Sequence, residues 1–222
     1  MKRRNFTALT LLAAPLGLSA WAAAPDPNPN PITKTASTLP VILIVGDSLS
    51  AEYGLRRGTG WVALLEERLR LEKARYRVVN ASISGDTTSG GRSRLPALLR
   101  QHKPAVVVIE LGGNDALRGL PLGMTRDNLA AMTKQSGTAG ARVLLLGMEM
   151  PPNYGAMFGQ EFREIYNSVA RSEKAALLPF FLKNVADLPD ATRLFQADRI
   201  HPNEEAQTIM LGNVWPALKK LL

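Results

Sequence analysis

The sequence predicts a doubly wound α/β sandwich. Three observations carry this expectation. Continuous apolar, β-branched runs recur along the chain, as in parallel strands buried on both faces. Segments with apolar residues at helical spacing separate those runs. With 222 residues, 45% of them hydrophobic, the chain is long enough to cover both faces of a sheet.

The elements follow in order. Val41–Val45 is the first strand, and Trp61–Lys73 sets Trp61, Leu64, Leu65 and Leu69 on one helical face. Arg77–Val79 is a short second strand. Ser89–Gln101 carries Leu95, Leu98 and Leu99, and Pro96 implies a late start or a kink in this helix. Ala105–Leu111 is the third strand. Arg126–Ala139 groups Leu129, Met132 and Ser136, and Arg142–Leu146 is the fourth strand. Glu161–Lys174 aligns Phe162, Ile165, Tyr166 and Val169, and Ala176–Pro179 is a short edge strand. Asn203 is a good N-cap, followed by Glu204 and Glu205. From it a last helix turns Ala206, Ile209, Met210, Val214, Ala217, Leu218 and Leu221 inward.

The N-terminus has another character. Lys2, Arg3 and Arg4 precede an apolar run from Phe6 to Ala24, and Ala20-Trp21-Ala22 fits the small-x-small rule. We expect residues 1–22 to be a signal peptide cleaved after Ala22, with residues 23–40 a Pro- and Asn-rich tether and residues 41–222 the folded domain. An uncleaved anchor is the alternative, weakened by Pro15, Gly17 and the Ser/Thr content of the run. Arg3-Arg4-Asn5-Phe6 resembles a twin-arginine signal, so that export route stands beside the general secretory one. Cleavage removes three positive charges, lowering the formal net charge from +8 to +5. The remaining basic residues form no stripe, which argues against a nucleic-acid partner.

The composition also excludes chemistry. There is no cysteine, hence no disulfide framework, thiol nucleophile or cysteine zinc site. Two histidines, His102 and His201, are too few for a multi-histidine metal cage. No GxxxxGK[ST] run is present.

In a doubly wound fold, function sits in the loops at the carboxyl ends of the strands. The first strand ends in Gly46-Asp47-Ser48-Leu49-Ser50, where a tight turn would present the Ser48 hydroxyl. Ser50 stands where a G-x-S-x-G elbow has its second glycine. The second ends in Asn80-Ala-Ser-Ile-Ser-Gly85-Asp86-Thr87, where Gly85 would let a backbone N–H approach a developing oxyanion. The third ends in Gly112-Gly113-Asn114-Asp115, where the Asn114 amide is a neutral oxyanion donor. Before the last helix, Asp198-Arg-Ile-His201-Pro202-Asn203 puts a histidine three residues after an aspartate that can orient it. Each motif alone reads more readily as an ordinary turn than as a catalytic element. His102, at the end of an amphipathic helix, reads as a solvated C-terminal histidine, leaving His201 as the base.

Taken together, GDSLS, NASISGDT, LGGNDALRG and DRIHPN resemble the successive blocks of the GDSL or SGNH hydrolases, with Ser48, Gly85, Asn114 and His201 as the four letters. The similarity covers nearly all of residues 41–222 and runs closest to the bacterial multifunctional thioesterase I, lysophospholipase and arylesterase group. The resemblance implies a three-layer α/β/α, flavodoxin-like fold with a five-stranded parallel sheet of order 2-1-3-4-5. It implies Ser48 as nucleophile, His201 as base and Asp198 as its orienter. It further implies an oxyanion hole from the Ser48 N–H, the Gly85 N–H and the Asn114 side chain. No metal or organic cofactor is then expected. The substrate would be a small acyl ester or thioester, and the enzyme an exported monomer without a membrane span once cleaved.

Apolar residues of the later loops, Met148, Met150, Tyr154, Met157, Phe158, Phe180, Phe181 and Leu182, either line an acyl groove or close the core. Arg56, Arg57 and Arg118 either attract an anionic substrate group or are ordinary surface charge. The competing readings are a carbohydrate O-deacetylase on the same fold and a non-catalytic flavodoxin-like binding module.

Overall fold

A computed structural model describes residues 39–222; the expected signal peptide and nearly all of the expected tether lie outside the described residues. The first strand, β1, spans Val41–Gly46, and every one of its residues is buried. The others are β2 (Arg77–Asn80), β3 (Val106–Glu110), β4 (Arg142–Leu146) and β5 (Ala176–Leu178). All pair in parallel in the order β2-β1-β3-β4-β5, the arrangement the resemblance implies. Central β1 and β3 are buried throughout because helices cover both of their faces, while β2 and β5 at the edges are only partly buried.

The helices are α1 (Trp61–Leu71), α2 (Thr88–His102), α3 (Gly113–Leu117), α4 (Leu122–Thr138), α5 (Ala156–Ser172) and α6 (Glu204–Lys219). One layer pairs α1 with α6, and the other packs α4 between α2 and α5. The predicted inward sets of α4 and α5 are buried as expected: Leu129, Met132 and Ser136, then Phe162, Ile165, Tyr166 and Val169. On α6, Leu211 and Trp215 are also buried, whereas Ile209 and Ala217 stay half-exposed.

Three departures from the sequence reading have physical causes. Pro96 neither delays nor ends α2, which runs unbroken from its Thr87 cap. Its ring lies on the exposed side, where water can satisfy the carbonyl it frees. Helices α4 and α5 begin four and five residues before the predicted Arg126 and Glu161, because their first turns are largely exposed and carry little apolar periodicity. The segment after β3, read as a turn, contains the one-turn helix α3, whose glycine-rich start hides it from pattern reading.

This topology has its switch point between β1 and β3. Their following connections leave toward opposite layers and open a crevice at the carboxyl end of the sheet. The entry to α6 supports the same rim. Asn203 accepts from Ala206 N at 3.3 Å as N-cap, while its amide donates to Arg193 O at 2.7 Å. Replacing Asn203 with Ala is therefore expected to destabilise the fold by about 1 kcal/mol, read as a lowered thermal midpoint; an unchanged midpoint would refute the capping role.

Candidate active site

The turn after β1 is built around Asp47. Its carboxylate accepts from Leu49 N at 3.0 Å, and its carbonyl accepts from Ala51 N at 3.0 Å, so the chain reverses sharply with Ser48 at the bend. Ser50, in place of an elbow glycine, is buried. Its hydroxyl donates to Glu110 Oε2 at 2.8 Å and accepts from Trp61 Nε1 at 3.2 Å, fixing the turn to β3 and α1.

His201 arrives on a narrow antiparallel excursion before α6. Gln196 N donates to His201 O at 2.8 Å, Asn203 N donates to Leu194 O at 2.8 Å, and Phe195 bridges Pro202. At its tip, Asp198 Oδ1 accepts from Ile200 N at 2.9 Å and His201 N at 3.0 Å. Arg199 between them takes a left-handed φ of +58°, a conformation this closed turn imposes. Asp198 Oδ2 lies 2.6 Å from His201 Nδ1, and His201 Nε2 lies 2.9 Å from Ser48 Oγ. The carboxylate assigns the tautomer: Nδ1 carries the hydrogen, so Nε2 is free to accept from the serine hydroxyl. The hydrogen bond to His201 holds Asp198 down to about 2, assisted by the two backbone N–H groups. His102 sits far along the chain in the last turn of α2, partly exposed, as its sequence context suggested.

Two further loops close on this chain. Gly85 adopts φ +77°, which L side chains rarely take, and Arg118 Nη2 donates to its carbonyl at 2.8 Å. Arg94 holds the same loop from below, binding Asp86 at 2.9 Å together with the carbonyls of Ala81 and Gly46. Gly112, with φ +116°, caps α3; a Cβ there would lie 2.4 Å from the Tyr166 hydroxyl. Helix α3 in turn presents Asn114, whose Nδ2 donates to Asp47 Oδ2 at 2.9 Å. One amide hydrogen is thereby used to orient the group, and the second remains for a ligand. Asp115, fully buried, accepts from Thr88 N at 2.8 Å and from the Thr88 hydroxyl, locking α3 to α2.

All five residues singled out from the sequence thus lie at one end of the sheet, four on loops and Asn114 on α3, with Ser48, His201 and Asp198 in direct hydrogen-bonded sequence. The supporting groups Asp47, Glu110, Arg94 and Trp61 were not assigned roles. Glu110 left a signal, being a lone acid ending the apolar run Val106–Ile109. The open question of the apolar loop residues divides. Met148, Phe181 and Leu182 are core, while Tyr154 and Met157 are exposed. Arg118 has a structural partner in Gly85, and Arg56 lies 3.9 Å from Glu204 as an exposed surface pair.

Asp47 and Glu110 form a buried acid pair. Burial pushes Asp47 up to about 6 despite the donors around it. Burial, then the neighbouring Asp47 charge, pushes Glu110 well above the carboxylate range, so Glu110 keeps its proton and shares it with Asp47. Unfolded, Glu110 would ionise near its ordinary 4.5. Folding therefore retains a proton, and this group's contribution to stability is complete below that value and declines as pH rises above it. Glu110→Gln keeps a donor and an acceptor but does not titrate. We expect its stability relative to the parent to improve between pH 5 and pH 9 in urea denaturation; a difference constant with pH would show that Glu110 is ionised.

The chain matches the GDSL-like lipase/acylhydrolase family over residues 44–209. It is 55% identical over 181 residues to esterase TesA of Pseudomonas aeruginosa, covering 82% of this chain and 89% of that protein. It is 42% identical over 176 residues to thioesterase 1/protease 1/lysophospholipase L1 of Escherichia coli, covering 79% and 82% of the two chains. Among solved structures, esterase EstA from Pseudoalteromonas sp., inhibited by monoethylphosphonate, superposes with TM-score 0.76 at 40% identity over 81% of this chain and 97% of that one. With the sheet order and the four strand-end motifs, these likenesses make the chain a member of the GDSL-like lipase/acylhydrolase family and a hydrolase of small acyl esters.

Proposed function

We propose that hydrolysis proceeds through an acyl-Ser48 intermediate, with His201 as general base and acid and Asp198 as the group that orients it. The hydrogen-bonded chain of 2.6 and 2.9 Å from Asp198 through His201 to Ser48 carries this reading. As Ser48 Oγ bonds to the carbonyl carbon, its proton passes to His201 Nε2. Asp198, held ionised down to about pH 2, stabilises the imidazolium that forms. The carbonyl oxygen becomes an oxyanion facing the Ser48 N–H, the Gly85 N–H and the free hydrogen of the Asn114 amide. The C–O or C–S bond then breaks, and His201 returns the proton to the leaving atom. Water repeats the sequence on the acyl-enzyme, regenerating Ser48.

The substrates we infer are fatty-acyl and aryl esters, with thioesters and lysophospholipids in the same class. Ile83, Leu117 and Ile200, each more than 40% exposed, stand on the loops that carry Gly85, Asn114 and His201. An aliphatic rim of that kind suits an acyl chain better than a sugar acetate. No helix among the described residues is long and apolar enough to cross a membrane. The charged, apolar and small-residue pattern of residues 1–22 supports export by cleavage, and the enzyme is taken to act as a monomer.

Ser48→Ala is expected to lower kcat/KM on p-nitrophenyl esters by about 10⁴-fold or more. Asn114→Ala should lower kcat by ~10²–10³ with a smaller effect on KM. A Ser48→Ala enzyme of full activity would sink the mechanism. N-terminal sequencing of exported protein should begin at Ala23, and an intact Met1 there would refute the cleaved leader.

A further inference from the structure

We propose that Tyr53 forms the leaving-group wall of the site and favours substrates whose leaving group is aromatic. This rests on the acyl-serine reading above, because that reading fixes which part of the substrate lies where. The carbonyl oxygen points to the oxyanion donors. The leaving atom must come within reach of His201 Nε2, since that nitrogen returns the proton as the bond to the acyl carbon breaks. An aryl ester releases a phenol and leaves its acyl group on Ser48 Oγ. Whatever lies against the imidazole therefore meets the leaving group.

Tyr53 lies there. Its ring centroid is 4.4 Å from that of His201, with the planes tilted by 40°. Half of the residue, 50%, remains exposed, so the ring is not spent on the imidazole alone. An exposed aromatic ring packed on the imidazole is a stacking surface for a second ring, whereas an alkyl leaving group gains less from it.

The position is also built rather than incidental. Tyr53 follows Glu52, which takes a left-handed φ of +58° and whose carboxylate accepts from Gly58 N at 3.0 Å and Gly60 N at 2.9 Å, closing the loop. Gln196 Nε2 donates to Tyr53 O at 2.9 Å. The same Gln196 binds His201 O through its backbone and Pro202 O through its amide. One residue thus joins the backbone of the tyrosine loop to that of the histidine loop. On the loops of Gly85 and Asn114 the exposed apolar residues are the aliphatic Ile83 and Leu117. Beside the base the rim thus carries the Tyr53 ring together with the aliphatic Ile200, and beside Gly85 and Asn114 it carries aliphatic groups.

The test uses two substrates with one acyl group, phenyl butyrate and ethyl butyrate, and reads kcat/KM, which covers acylation and hence the leaving group. For Tyr53→Ala the ratio of phenyl to ethyl kcat/KM should fall roughly tenfold from the parent value. Tyr53→Phe, which keeps the ring, should hold the parent ratio. If Tyr53 served only to pack His201, both substrates would lose activity together and the ratio would stay constant, which overturns the proposal. A ratio that falls equally in Tyr53→Phe overturns it too, because the hydroxyl would then be responsible. Circular dichroism of both variants checks the fold. Ser48→Ala measured alongside separates the two claims: activity surviving there strikes the acyl-serine reading, while a constant ratio with Ser48→Ala inactive strikes the tyrosine wall alone.

Discussion

A pair of buried acids, Asp47 and Glu110, joins the two halves of the site. Glu110 closes β3 directly across the ladder from Gly46, the last residue of β1. Its carboxyl accepts from Asp47 N and Ser50 Oγ and shares its hydrogen with the Asp47 side chain. Asp47 then reaches outward to Leu49 N and to the Asn114 amide. The serine turn, its neighbouring strand and the Asn114 amide are therefore fixed by a single polar cluster. Such a cluster is costly to bury unless nearly every lone pair is engaged, and its members are engaged with one another. Ionising both acids at this spacing would oppose two charges in a dry environment, which is why one of them stays neutral.

The aspartates of this protein illustrate how surroundings set chemistry. Asp47 and Asp198 belong to loops of the same site, yet their shifts are opposite. Asp47 is buried, and loss of hydration outweighs its donors. Asp198 is partly exposed and accepts from one imidazole and two backbone N–H groups, so its charge is favoured. The first suits a group that orients by hydrogen bonding. The second suits a group that must stay negative beside a positive imidazolium.

Much of this was legible from the residues. The buried strands announced themselves as continuous apolar runs, and α5 was readable because its inward residues follow a helical repeat. The candidate site residues stand out because each sits in a short motif rich in Gly, Asp, Asn or Ser, three of the motifs following β1, β2 and β3 and the fourth preceding α6. Their arrangement in space was not. Nothing in the spacing of Asp47 and Glu110 says that they meet, since that contact depends on the register of β1 against β3. Tyr53 was equally hidden, because its meeting with His201 depends on Gln196, 143 residues away in sequence. The short helix α3 escaped because tertiary hydrogen bonds to Asp115, rather than helix propensity, hold it in place.

Part of the positive charge of the chain is used inside the fold. Arg94 and Arg118 are used inside the site region, where each ties a carbonyl of the Gly85 loop or its neighbours to another element. Guanidinium suits this task because its planar fork serves several acceptors at once, as Arg94 does with Asp86, Ala81 and Gly46. Most of the other paired arginines form exposed ion pairs, such as Arg70 with Glu67 and Arg171 with Glu164, of the kind that adds little to stability. The basic residues that matter are thus those whose donors meet backbone carbonyls near the serine. They act on geometry, by holding the left-handed Gly85 and its neighbours in place.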